Sequence, residues 1–358
     1  MTKKYPFCPD YSVPPGTTLK ETLEAKGLSQ ADLALRSGLA EKTVSQIING
    51  IAPLSYETAE KLELVLGITA RFWNARERSY REALVRLEEM DRLHEDVHWL
   101  DEIPVSDLIA RSRVQRTTDK RSLVRQALGF FGVSSVEAWR AAWEAPAVQY
   151  RGARAQEKRP GYVAAWLRFG ELQAEEMDTQ PFDAEGFKQV LANARELTNA
   201  PTNEAFKTLA VSCATVGVAV VLTKEIAGAG VRGAVRWITK DKALLQLSLK
   251  YKTHDQLWFT FFHEAGHILL HGKRQVFVEF GLSAETDEEQ EANTFARNWL
   301  IPRDHQHRLP YLRTREQIRA FAASIGIPQG IVVGRMQHDD QSLRYTLNDL
   351  KRKLLWEA

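Results

Sequence analysis

The sequence predicts a multidomain, mainly α-helical protein, with an all-α bundle at the N-terminus and an α+β domain containing a small antiparallel sheet at the C-terminus. Its 358 residues, 44% of them hydrophobic, are enough for two or three domains with ordinary cores. Residues 16–67 alternate short amphipathic stretches with glycines that end helices. Residues 217–222 are a valine-rich run that begins with glycine, and residues 233–249 have the pattern of a hairpin. Helices are therefore expected first, and strands only in the second half of the chain.

Five segments follow from the pattern of helices and breaks along the chain. A helical pattern rich in arginine, glutamate and leucine extends from Ala70 to about Trp99, and Pro104 ends it. We therefore expect these boundaries: an N-terminal tail at 1–15, a helix-turn-helix domain with a long helical extension at 16–100, a helical linker domain at 101–182, the α+β domain at 183–340 and a C-terminal segment at 341–358.

The charge and cysteine content exclude several classes of protein. The formal net charge is only +2, so no global electrostatic argument for binding nucleic acid is available. The two cysteines, Cys8 and Cys213, lie far apart and favour a reducing compartment over a disulfide framework. No apolar run is long enough to span a bilayer, and the N-terminus lacks the hydrophobic region of a signal peptide. We therefore expect a cytoplasmic, nucleoid-associated protein without membrane contact.

The segment 259–271 carries the most informative motif, in which His263 and His267 are four positions apart and Glu264 lies between them. On a helix this spacing places both imidazoles on one face, where they can share a metal ion. The H-E-x-x-H pattern is that of zinc proteases, in which the histidines are Zn²⁺ ligands and Glu264 would be the catalytic base. The alternative is a buried helix that carries two histidines by chance. The apolar flanks favour the metal, because buried polar side chains need partners.

A third protein ligand is expected from the next helical pattern, residues 283–301, whose first turns are acidic. Its buried stripe is predicted to contain Ala292, Phe295, Ala296, Trp299 and Leu300. We favour Glu291 as the ligand, because it directly precedes the buried stripe, with Glu288 as the alternative. A solvated helix N-terminus accounts for the other acidic residues. His271, one turn beyond His267, is interpreted as a supporting side chain or a polar helix end.

Residues 17–49 form three predicted short helices, with a tight turn before the third. Gly27 ends the first helix, Ser29 caps the second, and residues 38–40 form the turn. Two short helices joined by a glycine-containing turn are the helix-turn-helix unit, whose second helix enters the major groove of DNA. The alternative is a helical bundle that makes only protein contacts.

Three C-terminal segments, WFTFFHEAGHILLH at 258–271, EQEANTFA at 289–296 and LIP at 300–302, together resemble the ImmA/IrrE family of bacterial and phage metallopeptidases. The likeness covers roughly residues 183–338. It implies a gluzincin-like fold with two histidines and one glutamate as metal ligands, so that the segment 183–340 would be a zinc metallopeptidase domain. In relatives the substrates are transcriptional repressors. Ala265 departs from the family, which often has leucine there, and we expect this to affect packing only.

The N-terminal segment resembles the Cro/repressor, or XRE-type, helix-turn-helix, specifically the HigA-like antitoxin branch. The likeness is carried by PG at 15–16, GLSQADLA at 27–34, GL at 38–39, IING at 47–50 and ITARFWN at 68–74. Position by position, the resemblance implies base contacts from Gln30, Glu41, Lys42 and Gln46 and phosphate contacts from Thr43 and Asn49. Glutamine can pair bidentately with adenine, and lysine can donate to guanine. Ala40 is a departure, because a serine or threonine usually caps the recognition helix at this position. Loss of that cap lowers the stability of the helix by about 1 kcal/mol.

Together these features predict a DNA-binding regulator with zinc-dependent endopeptidase activity. We expect it to bind operator DNA as a homodimer and to cleave a repressor, a toxin-system partner or itself. The alternative is a HigA-like antitoxin and autorepressor, whose C-terminal domain binds a partner or ligand without proteolysis. The side chain that would stabilise the oxyanion stays open among five candidates: Tyr251, His254, His305, His307 and Tyr311.

Overall fold

The computed structural model describes residues 12–144, 159–250, 252–273, 277–279 and 286–354. The chain divides into two compact units, the first ending at Val97 and the second beginning at His98. Parts of four expected segments lie outside the described residues: 1–11 of the tail with Cys8, 145–158 of the linker, 251, 274–276 and 280–285 of the α+β domain, and 355–358 of the C-terminal segment. Among the described helices, none is both long and apolar enough to cross a membrane.

The described part of the first unit is an all-α bundle, as predicted. Its helices are α1 (Pro15–Lys26), α2 (Gln30–Ser37), α3 (Glu41–Ile48), α4 (Tyr56–Leu66) and α5 (Ala70–Glu95). Gly27 and Gly38 adopt the left-handed conformation that ends α1 and α2, and Ser29 forms a capping box with Asp32 at the start of α2. Each helix contributes a buried side chain to one core: Leu19, Leu33, Val44, Leu62 and Trp73. Helices α2 and α3 are the predicted helix-turn-helix pair.

The second unit begins with helices that the sequence analysis assigned to a linker. They are α6 (Val105–Ala110), α7 (Lys120–Phe131), α8 (Val136–Trp139) and α9 (Pro160–Glu175). The indole N–H of Trp166 on α9 donates to the carbonyl of Thr223 over 3.4 Å, and the amide of Gln246 donates to the Trp166 carbonyl over 2.7 Å. Arg111 stacks over the Phe169 ring at 4.5 Å. The two hydrogen bonds of Trp166 join the linker helices to the C-terminal domain, and the contact of Arg111 with Phe169 holds two parts of the linker together.

A four-stranded sheet forms the centre of the second unit within the described residues. Its strands are β1 (Val218–Leu222), β2 (Gly233–Thr239), β3 (Lys242–Leu247) and β4 (Phe277–Glu279), in the order β1-β3-β2-β4. The predicted hairpin is confirmed, because β2 and β3 pair antiparallel, as do β2 and β4.

The expected purely antiparallel sheet is corrected to a mixed one, because β1 pairs with β3 in parallel. The alternating residues of β1 explain this arrangement. Val218 and Val220 enter the main core, whereas Ala219 and Val221 pack with Ala174 of α9 on the other face. Although β1 lies at an edge of the sheet, both of its faces are covered, and burial on both faces is typical of strands that pair in parallel.

The remaining described helices surround the sheet. They are α10 (Ala184–Leu197), α11 (Thr202–Ala214), α12 (His254–Leu270), α13 (Asp287–Leu300), α14 (Arg303–Gln306), α15 (Arg315–Ser324) and α16 (Gln329–Asp339). Helices α12 and α13 cross closely at Gly266, where a Cβ atom would lie 3.2 Å from the Cα atom of Ala292 and 3.2 Å from the ring of Phe295. The absence of a side chain at Gly266 thus lets the two helices approach, and their facing residues form the candidate site.

Candidate metal centre

Helix α12 brings His263 and His267 together at the centre of the second unit. Their Nε2 atoms are 3.1 Å apart, which is the consequence of the i, i+4 spacing on one helical face. Both side chains are almost fully buried, as is Glu264 between them. The predicted motif therefore lies on a helix, and its two imidazoles converge on one point.

Glu289 of α13 completes this cluster, at the position for which the sequence analysis favoured Glu291. Its Oε2 atom lies 3.3 Å from Nε2 of His263, and its Oε1 atom lies 3.5 Å from Nε2 of His267. Glu291 instead places Oε2 at 3.2 Å from Nε2 of His271 and is well exposed. Glu288 lies at the first turn of α13, where its own backbone N–H and Thr286 lower the pKa of its carboxyl.

The helical geometry of α13 explains why Glu289, and not the expected Glu291, joins the cluster. Ala292, Ala296 and Leu300 are buried, as predicted from the sequence. A residue adjacent to Ala292 lies about a third of a turn away from that stripe, whereas a residue three positions earlier lies on the same face. Glu289 occupies that earlier position, and Asn293 follows it after one more turn. Both therefore face α12.

The cluster is strongly polarised. Burial raises the pKa of the Glu289 carboxyl, but its hydrogen bonds with His263 and His267 outweigh burial and leave the pKa below its ordinary value. Burial lowers the pKa of His267 to about 4, despite the opposing hydrogen bond with Glu289. A neutral imidazole beside an ionised carboxylate is the state in which both side chains offer lone pairs to a cation.

Hydrogen bonds behind the cluster orient both imidazoles. Nδ1 of His263 lies 3.1 Å from Oδ1 of Asn293, and Nδ1 of His267 lies 2.9 Å from Nδ1 of His271. Because the Glu291 carboxylate can only accept, Nε2 of His271 donates to it, and Nδ1 of His271 is left to accept from His267. The imidazoles of His263 and His267 thus each donate from Nδ1 and direct the Nε2 lone pair into the cluster. Sequence reasoning missed Asn293, although its spacing of four from Glu289 could have indicated it.

Two further residues shape the cluster. The ring of Phe277 on β4 stacks on His267 with the centroids 4.0 Å apart. Gly233, the first residue of β2, faces Glu264 and Thr260 so closely that a Cβ atom there would collide with the Glu264 carboxylate. The strand thus leaves space for the carboxylate only because position 233 has no side chain.

Three side chains of the cluster together could hold a metal ion. Within the described residues, His263, His267 and Glu289 form a group whose donor atoms all lie within 4.8 Å of one another. Two imidazole nitrogens and one carboxylate oxygen are a zinc-binding set that leaves a fourth position open in catalytic sites. The two buried imidazoles, the partly buried carboxylate and their supporting hydrogen bonds all fit such an ion.

Of the five candidates for an oxyanion-stabilising side chain, the structure excludes His254. His254 is buried and accepts a hydrogen bond from the Trp258 indole over 2.9 Å, and burial lowers its pKa to about 4, so it is a core residue. Tyr311 is 75% exposed on its 3₁₀ turn. Tyr251 lies outside the described residues, and His305 and His307 flank the end of α14.

The residues assigned to DNA contacts lie on or beside α2 and α3. Gln30, Glu41, Lys42 and Asn49 are exposed, and Thr43 and Gln46 are partly exposed. The side-chain amide of Asn49 donates to the Ser45 carbonyl over 2.9 Å, so it also stabilises the end of α3. Ala40 forms no side-chain cap, as the sequence indicated.

Comparison with known families agrees with both units. The helix-turn-helix family matches residues 19–73, which span most of α1 through α4 and the start of α5. The family described as IrrE N-terminal-like domain matches residues 221–336, which contain α12, α13 and most of the sheet. No curated protein matches the chain significantly. The chain therefore joins a segment that matches the helix-turn-helix family to one that matches the IrrE N-terminal-like domain, the combination that its motifs predict.

Proposed function

We propose that this chain is a DNA-binding regulator whose second unit is a zinc-dependent endopeptidase. The observation that carries the proposal is the convergence of the two buried Nε2 atoms and the Glu289 carboxylate beside the fully buried Glu264. A helix that carried two histidines by chance would not require an acidic side chain from a second helix at the same point. The match to the IrrE N-terminal-like domain supports the same activity.

In this proposal His263, His267 and Glu289 would hold the zinc ion, replacing Glu291 in the expected set. Zinc supplies Lewis acidity, which polarises a peptide carbonyl and lowers the pKa of water to about 7. Glu264 would accept a proton from the attacking water and deliver it to the leaving amine nitrogen. Asn293 and His271 would hold the two imidazoles in the required tautomer.

A polypeptide substrate fits the position of β4. In the described sheet this strand lies at the edge beyond β2, and its residue Phe277 stacks on His267. An extended peptide can add to a free strand edge through backbone hydrogen bonds, which would place its carbonyls beside the cluster. We propose that the substrate is a transcriptional repressor, a toxin-system partner or the chain itself. A HigA-like antitoxin that binds a partner without cleavage is the competing function.

Glu264→Gln should abolish proteolysis in cells, which can be tested by comparing newly formed protein termini between cells that express the wild type and cells that express the variant. Cleavage products should appear with the wild type and be absent with the variant, because glutamine cannot accept the proton. The glutamine keeps the size of the side chain, so the variant should retain zinc and fold. Mass spectrometry of newly formed termini measures the products. Identical termini in both strains, with zinc bound in both, would favour the antitoxin function.

For the first unit we propose that a homodimer reads a palindromic operator with α3, at half-sites about one helical turn apart. Gln46→Ala should weaken operator binding by about 1–3 kcal/mol and relax the preference at one base position, and Lys42→Ala should act at another. Lys20→Ala on α1 is the matched control, since it removes an exposed charge outside α2 and α3. Footprinting and titration at fixed salt measure both effects. An unchanged footprint in the Lys42, Gln46 double variant would leave the bundle as a protein-contact module.

A further inference from the structure

A second concave site lies beside the metal centre, between the first half of α12, the end of α13 and α16. Its cavity volume is about 100 Å³, which suits a single side chain rather than a whole small-molecule ligand. Its walls combine apolar side chains with three arginines. The apolar part includes Phe259, Leu300, Ile301 and Ile331, and the arginines are Arg232, Arg297 and Arg335.

Two of these arginines, Arg297 and Arg335, have hydrogen-bond donors that the described protein satisfies only in part. Arg297 contacts Nε2 of His338 over 3.0 Å, and Arg335 donates to Oδ2 of Asp339 over 2.7 Å. However, the Nε atom of Arg297 and one Nη atom of Arg335 are buried and have no hydrogen-bond acceptor among the described residues. Burial and the neighbouring Arg335 both lower the pKa of Arg297. A buried donor without an acceptor is costly, and an anionic ligand would relieve that cost.

The acidic residue of the pocket does not neutralise these arginines. Asp255 is nearly buried, and its Oδ2 atom pairs with Nζ of Lys351 at 2.7 Å. The carboxylate is therefore already matched by a lysine that does not line the pocket. Asp339 pairs with Arg335, so the positive charge that remains on the α13 and α16 side of the pocket is that of Arg297, which contacts His338.

The pocket and the metal centre share their structural elements. The ring of Phe259 lies 6.2 Å from the ring of His263, one helical turn along α12. Arg297 follows Asn293 by one turn of α13, and Arg232 directly precedes Gly233, which faces Glu264. A polypeptide that placed a peptide bond at the cluster could therefore place a side chain of a nearby residue in the pocket.

We propose that this pocket is a specificity subsite that binds an acidic side chain of the polypeptide substrate. This inference rests on the proposed peptidase function. Guanidinium groups recognise a carboxylate through paired hydrogen bonds, and the apolar walls accommodate a methylene stem. The longer stem of glutamate fits this combination better than that of aspartate.

Cleavage of a proteome-derived peptide library tests the subsite. The wild type should favour an acidic residue at one fixed position relative to the cut. Arg297→Gln should reduce cleavage of those peptides about tenfold to a hundredfold, which is the usual loss of a hydrogen bond to a charged group. The matched control is Arg303→Gln, because Arg303 is exposed on α14 and does not line the pocket. Arg335→Gln provides a second variant if the first does not fold.

A binding measurement on the full-length Glu264→Gln chain separates the subsite from proteolysis. Saturation-transfer NMR should detect N-acetyl-glutamate N-methylamide but not its glutamine analogue, and Arg297→Gln should abolish the signal. Equal signals from both compounds would overturn the pocket, whatever the cleavage result. Cleavage without acidic preference would overturn the subsite and leave the peptidase in place. Binding of the glutamate probe without any cleavage would refute the peptidase and the subsite together, leaving a site for a free carboxylic acid.

Discussion

Replacing His263 or His267 by alanine should abolish binding of one zinc ion per chain. Each change removes one of three donors, and the two that remain leave a tetrahedral ion poorly coordinated. The loss of zinc affinity should be larger than the weakening of about 10- to 100-fold that follows when a residue supporting a metal ligand is removed. Elemental analysis after dialysis at limiting zinc measures it.

Two control variants make this result specific. Glu264→Gln should keep its zinc, since Glu264 is not among the three donors. His271→Ala should weaken zinc binding about 10- to 100-fold without abolishing it, because His271 contacts His267 at Nδ1 and not at the Nε2 atom that faces the cluster. Stoichiometric zinc in the His263 and His267 variants would show that the metal lies elsewhere, and the proposed peptidase mechanism would fail.

The second large effect concerns Glu289 and Glu291 of α13. Glu289→Ala should lower zinc affinity far more than Glu291→Ala, because Glu289 faces both Nε2 atoms, whereas Glu291 reaches only His271. The variants remove the same charge two positions apart on one helix, so each controls for the other. Competition with a zinc chelator gives both affinities on one scale. A larger loss in the Glu291 variant would restore the assignment first expected from the sequence.

The positions of His263, Glu264 and His267 were predictable because all three residues lie on one helix. Spacing within one helix fixes which side chains share a face, and the structure places both Nε2 atoms together. Identifying the third donor required knowledge of how α13 is rotated about its axis relative to α12. That a residue directly precedes the buried Ala292 does not provide this information. Counting back from the buried Ala292 by three positions would have identified Glu289, but counting by four equally supported Glu288.

Other features depended on long-range packing and had no local signal. The valine-rich pattern of β1 predicted a buried strand, but its parallel pairing with β3 depends on the connection between β1 and β2. The hydrogen bond between Asn293 and His263 joins residues 30 positions apart. The helices at 101–182 had recognisable patterns, yet only contacts such as that of Gln246 with Trp166 show which domain they join.

The contact between Gly233 and Glu264 bears on how activity is lost in evolution. A single methyl group at position 233 would meet the carboxylate, so Gly233→Ala could disable the centre while every letter of H-E-x-x-H persisted. A chain altered in this way would still carry His263, Glu264 and His267. Under the proposed function it would be a binding protein that differs from a peptidase by one residue, and that residue belongs to no motif.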